Sequence, residues 1–193
     1  MPWEKQYDEA EVLERAMEAF WAHGYEATSI SDLVATTGLN RGSLYTAFSD
    51  KRGLFIRALK HYDRTHRRDF LSDLTRDHAP RDAILAAFRQ VVASAKGGRN
   101  RKGCLLVNTA LELSPHDPEI ERIISASLEE VERFFRIRIE AAQKEGTIRP
   151  DLPASETAQL LFGLFLGLRV ITRSRPDKAL MTTMVKQAEV LLG

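Results

Sequence analysis

The chain has one cysteine, Cys104, among 193 residues, which excludes an internal disulfide framework and fits a reducing compartment. It has almost no net charge, +1 with histidine neutral, so its overall electrostatics do not announce a nucleic-acid or membrane-surface binder. It lacks a long hydrophobic run. The most apolar stretch, Leu160 to Leu168, is flanked by Gln159 and Arg169 and falls far short of the ~20 residues a membrane span needs. It reads as a buried or interface helix. The N-terminal region is acidic and has no apolar signal core, so the expectation is a cytoplasmic protein with no membrane partner. No strand-like alternation and no internal repeat is present. His61, His66, His78 and His116 lack the short spacings of a zinc site. Gly97-Gly98 follows no strand, so it is not a phosphate-cradling loop. Neither metal nor cofactor is expected. Cys104 with His116 is the one pairing that suggests a thiol hydrolase, and no orienting group or oxyanion loop accompanies it; the chain does not read as an enzyme.

What is present is helical periodicity from end to end, with 44% hydrophobic and 28% charged residues, enough apolar matter for one large domain or two small ones. Val12, Leu13, Ala16, Met17 and Phe20 recur at helical spacing up to Gly24. A helix from Lys51 to about Leu71 turns Leu54, Phe55, Ala58, Leu59 and Tyr62 inward. Asp77 to Arg81, with Pro80, marks a boundary. Helices follow over Asp82 to Ala95, Cys104 to Leu113, Pro118 to about Glu145, Pro153 onward and Asp177 to Leu191, with a basic loop, Gly97 to Gly103, between the first two. Asp117-Pro118-Glu119 is an N-cap, a first-turn proline and an acid at the positive end of the helix dipole. The fold class is therefore all-α, with about nine helices in two parts, 1–75 and 80–193.

The most informative stretch runs from Thr28 to Lys51. Ser29-Ile30-Ser31-Asp32 has the form of a capping box. Leu33 and Val34 supply the inner face of a short helix, Gly38 stops it, Leu39 plugs the turn, and Asn40 caps the next helix. That helix sets Leu44 and Phe48 on one face at i,i+4 and leaves Arg41, Ser43 and Thr46 pointing elsewhere. Two short helices about a tight turn, over roughly 29–48, suit the major groove of double-stranded DNA. The local charge agrees: Arg41, Lys51, Arg52, Arg57, Lys60, Arg64, Arg67 and Arg68 meet only Asp50 and Asp63 across residues 40–68, beside an acidic N-terminal segment. A basic segment of this kind is the footprint expected of a DNA-facing surface, although Arg64, Arg67 and Arg68 read better as a solvated helix face.

The pattern G-Y-x-x-T-S-I-x-D-L-x-x-x-T-G-L-N-R-G-S-L-Y-x-x-F-x-D-K-x-x-L, from Gly24 to Leu54, resembles the N-terminal domain of TetR-family transcriptional regulators. The likeness is dense from about Val12 to Leu59; one departure is Ser31, where many relatives carry a basic residue. The resemblance implies DNA contacts at Thr28, Ser29, Arg41, Gly42, Ser43, Tyr45, Thr46 and Lys51. Thr28 and Ser29 would cap the first helix of the motif, Ser29 also donating to a phosphate. Arg41 can pair with guanine O6/N7 or with a phosphate. Gly42 would allow close backbone approach, Ser43 and Thr46 are short readers, and Tyr45 reaches a phosphate or stays half-buried. Lys51 would meet a phosphate at a helix N-terminus.

The resemblance also implies a homodimer built from the last two long helices, with a small-molecule effector held in the C-terminal part and a tilt of the fourth helix transmitting its binding. Leu160, Gly163, Leu164, Gly167 and Ile171 form a candidate seam, the glycines permitting either a partner helix or a helix of the same subunit to approach. Arg169 beside it reads as an interface ion-pair partner rather than a ligand anchor. Cys104, Asn108 and Glu112 fall at i, i+4 and i+8, a polar stripe that either lines an effector pocket with Phe88, Val92, Phe134, Phe162 and Phe165 or bonds a neighbouring helix end. Cys104 follows Arg99, Arg101 and Lys102 at a helix start, a setting that favours a reactive thiolate; the alternative is a small buried apolar side chain. Gly103-Cys104 also resembles a subset of the family linked to sensing electrophiles or oxidants. The expected function is an effector- or electrophile-responsive repressor that binds a palindromic operator as a dimer. A constitutive dimeric DNA binder and a thiol enzyme using Cys104 are the alternatives.

Overall fold

The computed structural model describes residues 7–95 and 102–193, and all regular structure among them is helical. The elements are α1 (Glu9–His23), α2 (Ile30–Thr37), α3 (Arg41–Phe48), α4 (Lys51–Tyr62), a π-helical stretch (Asp63–Arg68), α5 (Asp69–Asp77), α6 (Pro80–Ala95), α7 (Leu105–Glu112), α8 (Pro118–Lys144), α9 (Ala154–Ser174) and α10 (Lys178–Leu192). From Lys51 to Asp77 the helix is unbroken, so the described residues form nine rods, in keeping with the periodicity. This rod outruns its expected end near Leu71 because Leu74, fully buried, continues the apolar face against α6.

The helix starts are fixed by the side chains that the sequence offers for them. Ser29 and Asp32 form the capping box reciprocally: Asp32 N donates to Ser29 Oγ at 3.1 Å and Ser29 N donates to Asp32 Oδ2 at 2.8 Å. Asn40 accepts from Ser43 N at 2.8 Å, and Asp50 accepts from Gly53 N at 2.7 Å. Gly53 is where α3 and α4 meet most tightly. A Cβ there would stand 2.2 Å from the Phe48 carbonyl oxygen, which no side chain can occupy.

Two apolar cores organise the molecule, and the first draws residues from both sides of the Asp77–Arg81 boundary. It combines α1 to α4 with Leu105, Leu106 and Leu113 of the α7 region and Ile120 and Ile124 of the first turns of α8. The second holds α6, the later turns of α8, α9 and α10, with Leu74. Two polar bridges lie on the first assembly. Glu112 accepts from Tyr25 N at 3.2 Å and Glu26 N at 2.9 Å, at the turn between α1 and α2. Gly24 makes room for it: its φ of 88° suits glycine, and a Cβ would come within 3.1 Å of the carboxylate. Arg52, in the first turn of α4, grips Asp117 with Nε at 2.7 Å and Nη2 at 3.0 Å, and Nη2 also reaches Glu119 at 2.7 Å. Asp117 is the N-cap of α8.

α9 is long and apolar enough to cross a membrane by length and composition alone, with only 28% of its most apolar window buried. One face packs on α6, α8 and α10 through Leu161, Phe165 and Leu168. The other leaves Leu160 and Val170 open.

Two outcomes follow from these contacts. Gly53→Ala should lose about 1–3 kcal/mol by overpacking against main chain, read as a lower urea midpoint with an unchanged slope. The Arg52 hydrogen bond holds the Asp117 carboxyl at about 2, below its usual 3.8. A depressed carboxyl contributes stability above its unfolded value and loses it as pH falls through the folded one. Asp117→Asn, which keeps the N-cap, should therefore lower the melting temperature at pH 7, and the gap from the parent should close between about pH 4 and pH 2. A gap independent of pH would show that the bridge is not the cause.

Candidate nucleic-acid interface and ligand cavity

α3 is anchored by Leu44 and Phe48, which are buried, and this turns Arg41, Gly42, Tyr45 and Thr46 outward to solvent. Ser43 is half-buried beside its cap. Ser29 is exposed at the start of α2. Arg41 lies along Tyr45, its guanidinium 5.7 Å from the ring centroid and Nη2 3.5 Å from the hydroxyl, so Tyr45 pre-positions the cation at the outer end of the helix. A Cβ on Gly42 would meet only the Asn40 side chain, at 3.4 Å, leaving the outer backbone open.

Thr28 stands apart from this set. Its side chain is 1% exposed, and Oγ1 donates to the Gly24 carbonyl at 2.6 Å. With Ser29 as the N-cap, Thr28 points one position back into the core and closes the turn between α1 and α2 instead of capping α2. Lys51 is half-buried, its ammonium 4.3 Å from the Tyr25 ring centroid and 3.4 Å from the Glu26 carbonyl, so it braces the same turn.

The basic run along α4 and beyond is largely neutralised inside the chain. Arg57 pairs with Glu9, Arg52 with Asp117 and Glu119, and Arg67 and Arg68 with Asp63 and Glu130. Arg64 donates toward His61 Nδ1 at 3.1 Å. For Arg52, Arg57, Arg67 and Arg68 the charge asymmetry of the sequence therefore reflects ion pairs inside the chain, with acids of α1, the rod and the α8 region. Burial pushes the Asp63 carboxyl up, but hydrogen bonds from Arg67 and Ser127 together with the charges of Arg67 and Arg68 outweigh it, and the carboxyl stays below its ordinary value.

A cavity of about 250 Å³ opens between the rod and the C-terminal helices. The rod supplies Tyr62, His66, Arg67, Phe70 and Leu71; α1 supplies Trp21; α6, α7, α8 and α9 close it with Val91, Leu106, Leu128, Phe165 and Arg169, and Cys104 lies in its wall. Cys104 is the N-cap of α7, and its sulfur accepts from Tyr62 Oη at 3.6 Å. Burial, then the neighbouring Cys104, holds the Tyr62 phenol well above its ordinary value, so it is a neutral donor. Arg99 and Arg101, expected beside the thiol, lie outside the described residues, as does most of the Gly97 to Gly103 loop. Lys102 turns away to Glu18 and stands 5.2 Å from the centre of the Trp21 ring.

Of the residues expected to line a pocket, only Cys104 and Phe165 border this cavity. Phe88 is fully buried in the second core, packed on Phe135 and Phe165. Val92, Phe134 and Phe162 pack around that core away from the cavity wall. The polar stripe on α7 is spent on main chain: Asn108 donates to the Lys102 carbonyl at 2.8 Å, and Glu112 holds the Tyr25–Glu26 turn. Helical spacing fixes which residues share a face but not which neighbour that face meets. Among the missed wall residues, Trp21, Tyr62, His66, Arg67 and Phe70 belong to α1 or the rod, and Val91, Leu106, Leu128 and Arg169 to α6, α7, α8 and α9. Glu14, Glu18 and His66 bring possible metal-ligand atoms within 4.8 Å of one another, but Glu14 engages His61 and Glu18 engages Lys102.

Of the seam residues, Leu160 is 59% exposed and Gly163 has no atom within 4 Å of an added Cβ, so no packing in its own subunit requires a glycine there. Gly167 faces Met184 of α10 at an ordinary 3.4 Å, and Leu164 and Ile171 are half-buried.

Comparison with known proteins places these features. Residues 12–58 match the model of bacterial regulatory proteins of the tetR family, and residues 80–188 match the tetracyclin repressor-like C-terminal domain. The HTH-type transcriptional regulator YezE of Bacillus subtilis is 32% identical over 90% of this chain and 90% of its own length. The HTH-type transcriptional repressor ComR of Escherichia coli is 29% identical over 88% and 81%. A cysteine-substituted form of the TetR-family regulator CifR, complexed with a 26-base-pair double-strand operator, superposes with a TM-score of 0.85 at 29% identity, covering 98% of this chain and 99% of that one. An exposed α3 reading face on a capped helix-turn-helix, joined to this C-terminal domain, is the architecture of that family: the chain belongs to the TetR family and is a DNA-binding helix-turn-helix transcriptional regulator.

Proposed function

We propose that the chain is a dimeric repressor of a palindromic operator, released by a small effector or electrophile that enters the cavity beside α9. The observation that carries this reading is the rod from Lys51 to Asp77. Its first turn abuts the recognition helix at Gly53, and its later turns, from Tyr62 to Leu71, form one wall of the cavity. A ligand that favours one rod position over another therefore acts on α3 through packed atoms. Moving the population from 99:1 to 1:99 needs a preference of ~10⁴-fold.

Ser29, Arg41, Gly42, Ser43, Tyr45 and Thr46 form the proposed reading surface, with Arg41 as the specific anchor. Thr28 and Lys51 support it from behind, by holding the turn between α1 and α2. A single short helix buries too little for tight specific binding; a two-fold dimer presents two, ~34–36 Å apart on DNA. The seam proposed for that dimer is the open face of α9 and α10: Leu160, Gly163, Leu164, Gly167, Val170 and Ile171 with Leu180 and Val190. ComR is named a repressor and CifR was solved on operator DNA, which supports the sign and the target.

Cys104 is proposed as the electrophile-reactive group, because its sulfur borders the cavity and accepts a hydrogen bond from a rod residue, Tyr62. Addition of the thiol across the carbon–carbon double bond of an α,β-unsaturated carbonyl, its proton passing to the α-carbon, would leave a thioether and add bulk against the rod. Operator binding, measured by fluorescence anisotropy on DNA from the region upstream of the gene, should weaken on adding a small α,β-unsaturated carbonyl. Cys104→Ser should abolish the response, and persistence in the variant would reject the thiol trigger. Arg41→Ala should weaken the specific complex by ~1–3 kcal/mol, roughly five- to 150-fold, and flatten discrimination against altered operators. Leu160→Glu should convert the dimer to a monomer in sedimentation velocity and abolish tight operator binding. An unchanged mass would place the interface elsewhere.

A further inference from the structure

Among the described residues, three buried polar side-chain atoms lack a hydrogen-bond partner, and two of them, Trp21 Nε1 and Arg169 Nε, belong to residues that line the cavity. Both are donors. The Arg169 guanidinium is 5.3 Å from the ring centroid of Phe70 and 5.1 Å from that of Phe165, so aromatic faces hold it in place, and no carboxylate among the described residues pairs with it. Arg67, on the same wall, differs: Asp63 and Glu130 satisfy it. A cation in apolar surroundings without a counter-charge is costly, and no described residue supplies the missing acceptor.

We propose that the cavity binds a small aromatic carboxylate, its anion on Arg169 with the Trp21 N–H as a second donor and its ring among Tyr62, Phe70 and Phe165. The volume of about 250 Å³ exceeds the roughly 150 Å³ apolar cavity that holds benzene, so one ring or a fused pair fits. The guanidinium fork matches a carboxylate, and a ligand cation is excluded by the same charge. This names the ligand class of the effector cavity and so rests on the reading above.

The test compares benzoate, cinnamate and 2-naphthoate with their neutral amides on the full chain. In a Trp3→Phe background Trp21 is the sole remaining tryptophan of the two, so its emission reports occupancy directly; thermal shift gives a second reading. The carboxylates should change the emission, raise the melting temperature and bind roughly ten- to a hundredfold more tightly than the amides. Arg169→Gln should erase that preference and Arg169→Lys should keep part of it. If Arg169→Gln fails to fold, the acid–amide comparison on the parent chain and Arg169→Lys still decide. Amides binding as well as acids, or no carboxylate binding, overturns the assignment. Carboxylate binding that leaves operator affinity unchanged upholds the ligand class and rejects the effector reading. Operator release by an electrophile with no carboxylate bound rejects the ligand class alone.

Discussion

The burial of α7 and the first turns of α8 in the core of the DNA-reading helices is the constraint on which the rest of the structure depends. Leu105, Leu106, Leu113, Ile120 and Ile124 lie with Phe20, Leu54, Phe55 and Leu59 in one apolar cluster. Each such side chain is worth roughly 1.5–3 kcal/mol buried, so separating the two parts of the chain would expose a large share of the stability of the smaller one. The polar bridges then set the register of a contact that apolar packing alone leaves free to slide. Glu112 reads two main-chain N–H groups at one turn, and Arg52 grips the N-cap of α8 through Nε and Nη2 on one edge of its guanidinium.

This arrangement gives the cavity its leverage. Its walls are contributed by α1 and the rod on one side and by α6, α8 and α9 on the other, so it lies where the two cores adjoin. The π-helical stretch from Asp63 to Arg68 sits in the middle of the rod, with the buried Asp63–Arg67 pair and Glu130 of α8 holding it. π-helical turns are often found at functional sites, and this one places His66 and Arg67 in the cavity wall. The tight junction of Gly53 with the Phe48 carbonyl makes the other end of the rod stiff.

Much of the fold was legible in the sequence because its helix ends are written in local chemistry. Ser29 with Asp32, Asn40 and Asp117 each cap the helix expected of them, and the i,i+4 pair Leu44 and Phe48 sets which side of α3 faces out. The exposed face of α3 followed from that pair. What was not legible depends on partners distant in sequence. The α7 stripe of Cys104, Asn108 and Glu112 is a true face, but its neighbours are a loop carbonyl and a turn 86 residues away for Glu112, which no spacing rule supplies. The basic run from Lys51 to Arg68 looked like a DNA footprint because the acids that neutralise it lie on α1 and α8. Arg169 is expected to pair with an acid across an interface; within the chain it has two aromatic faces and, among the described residues, no acid.

The central claim, that α7 belongs energetically to the DNA-reading unit and not to the C-terminal body, is tested most directly by native-state hydrogen exchange under increasing denaturant. Cooperative units open together with a common free energy and a common denaturant dependence. The structure predicts that the protected amides of Leu106 to Glu112 merge with those of α1 and α4 into one isotherm. Exchange of α7 on the isotherm of α9 and α10, or by a separate low-energy opening while α1 and α4 stay closed, would contradict it.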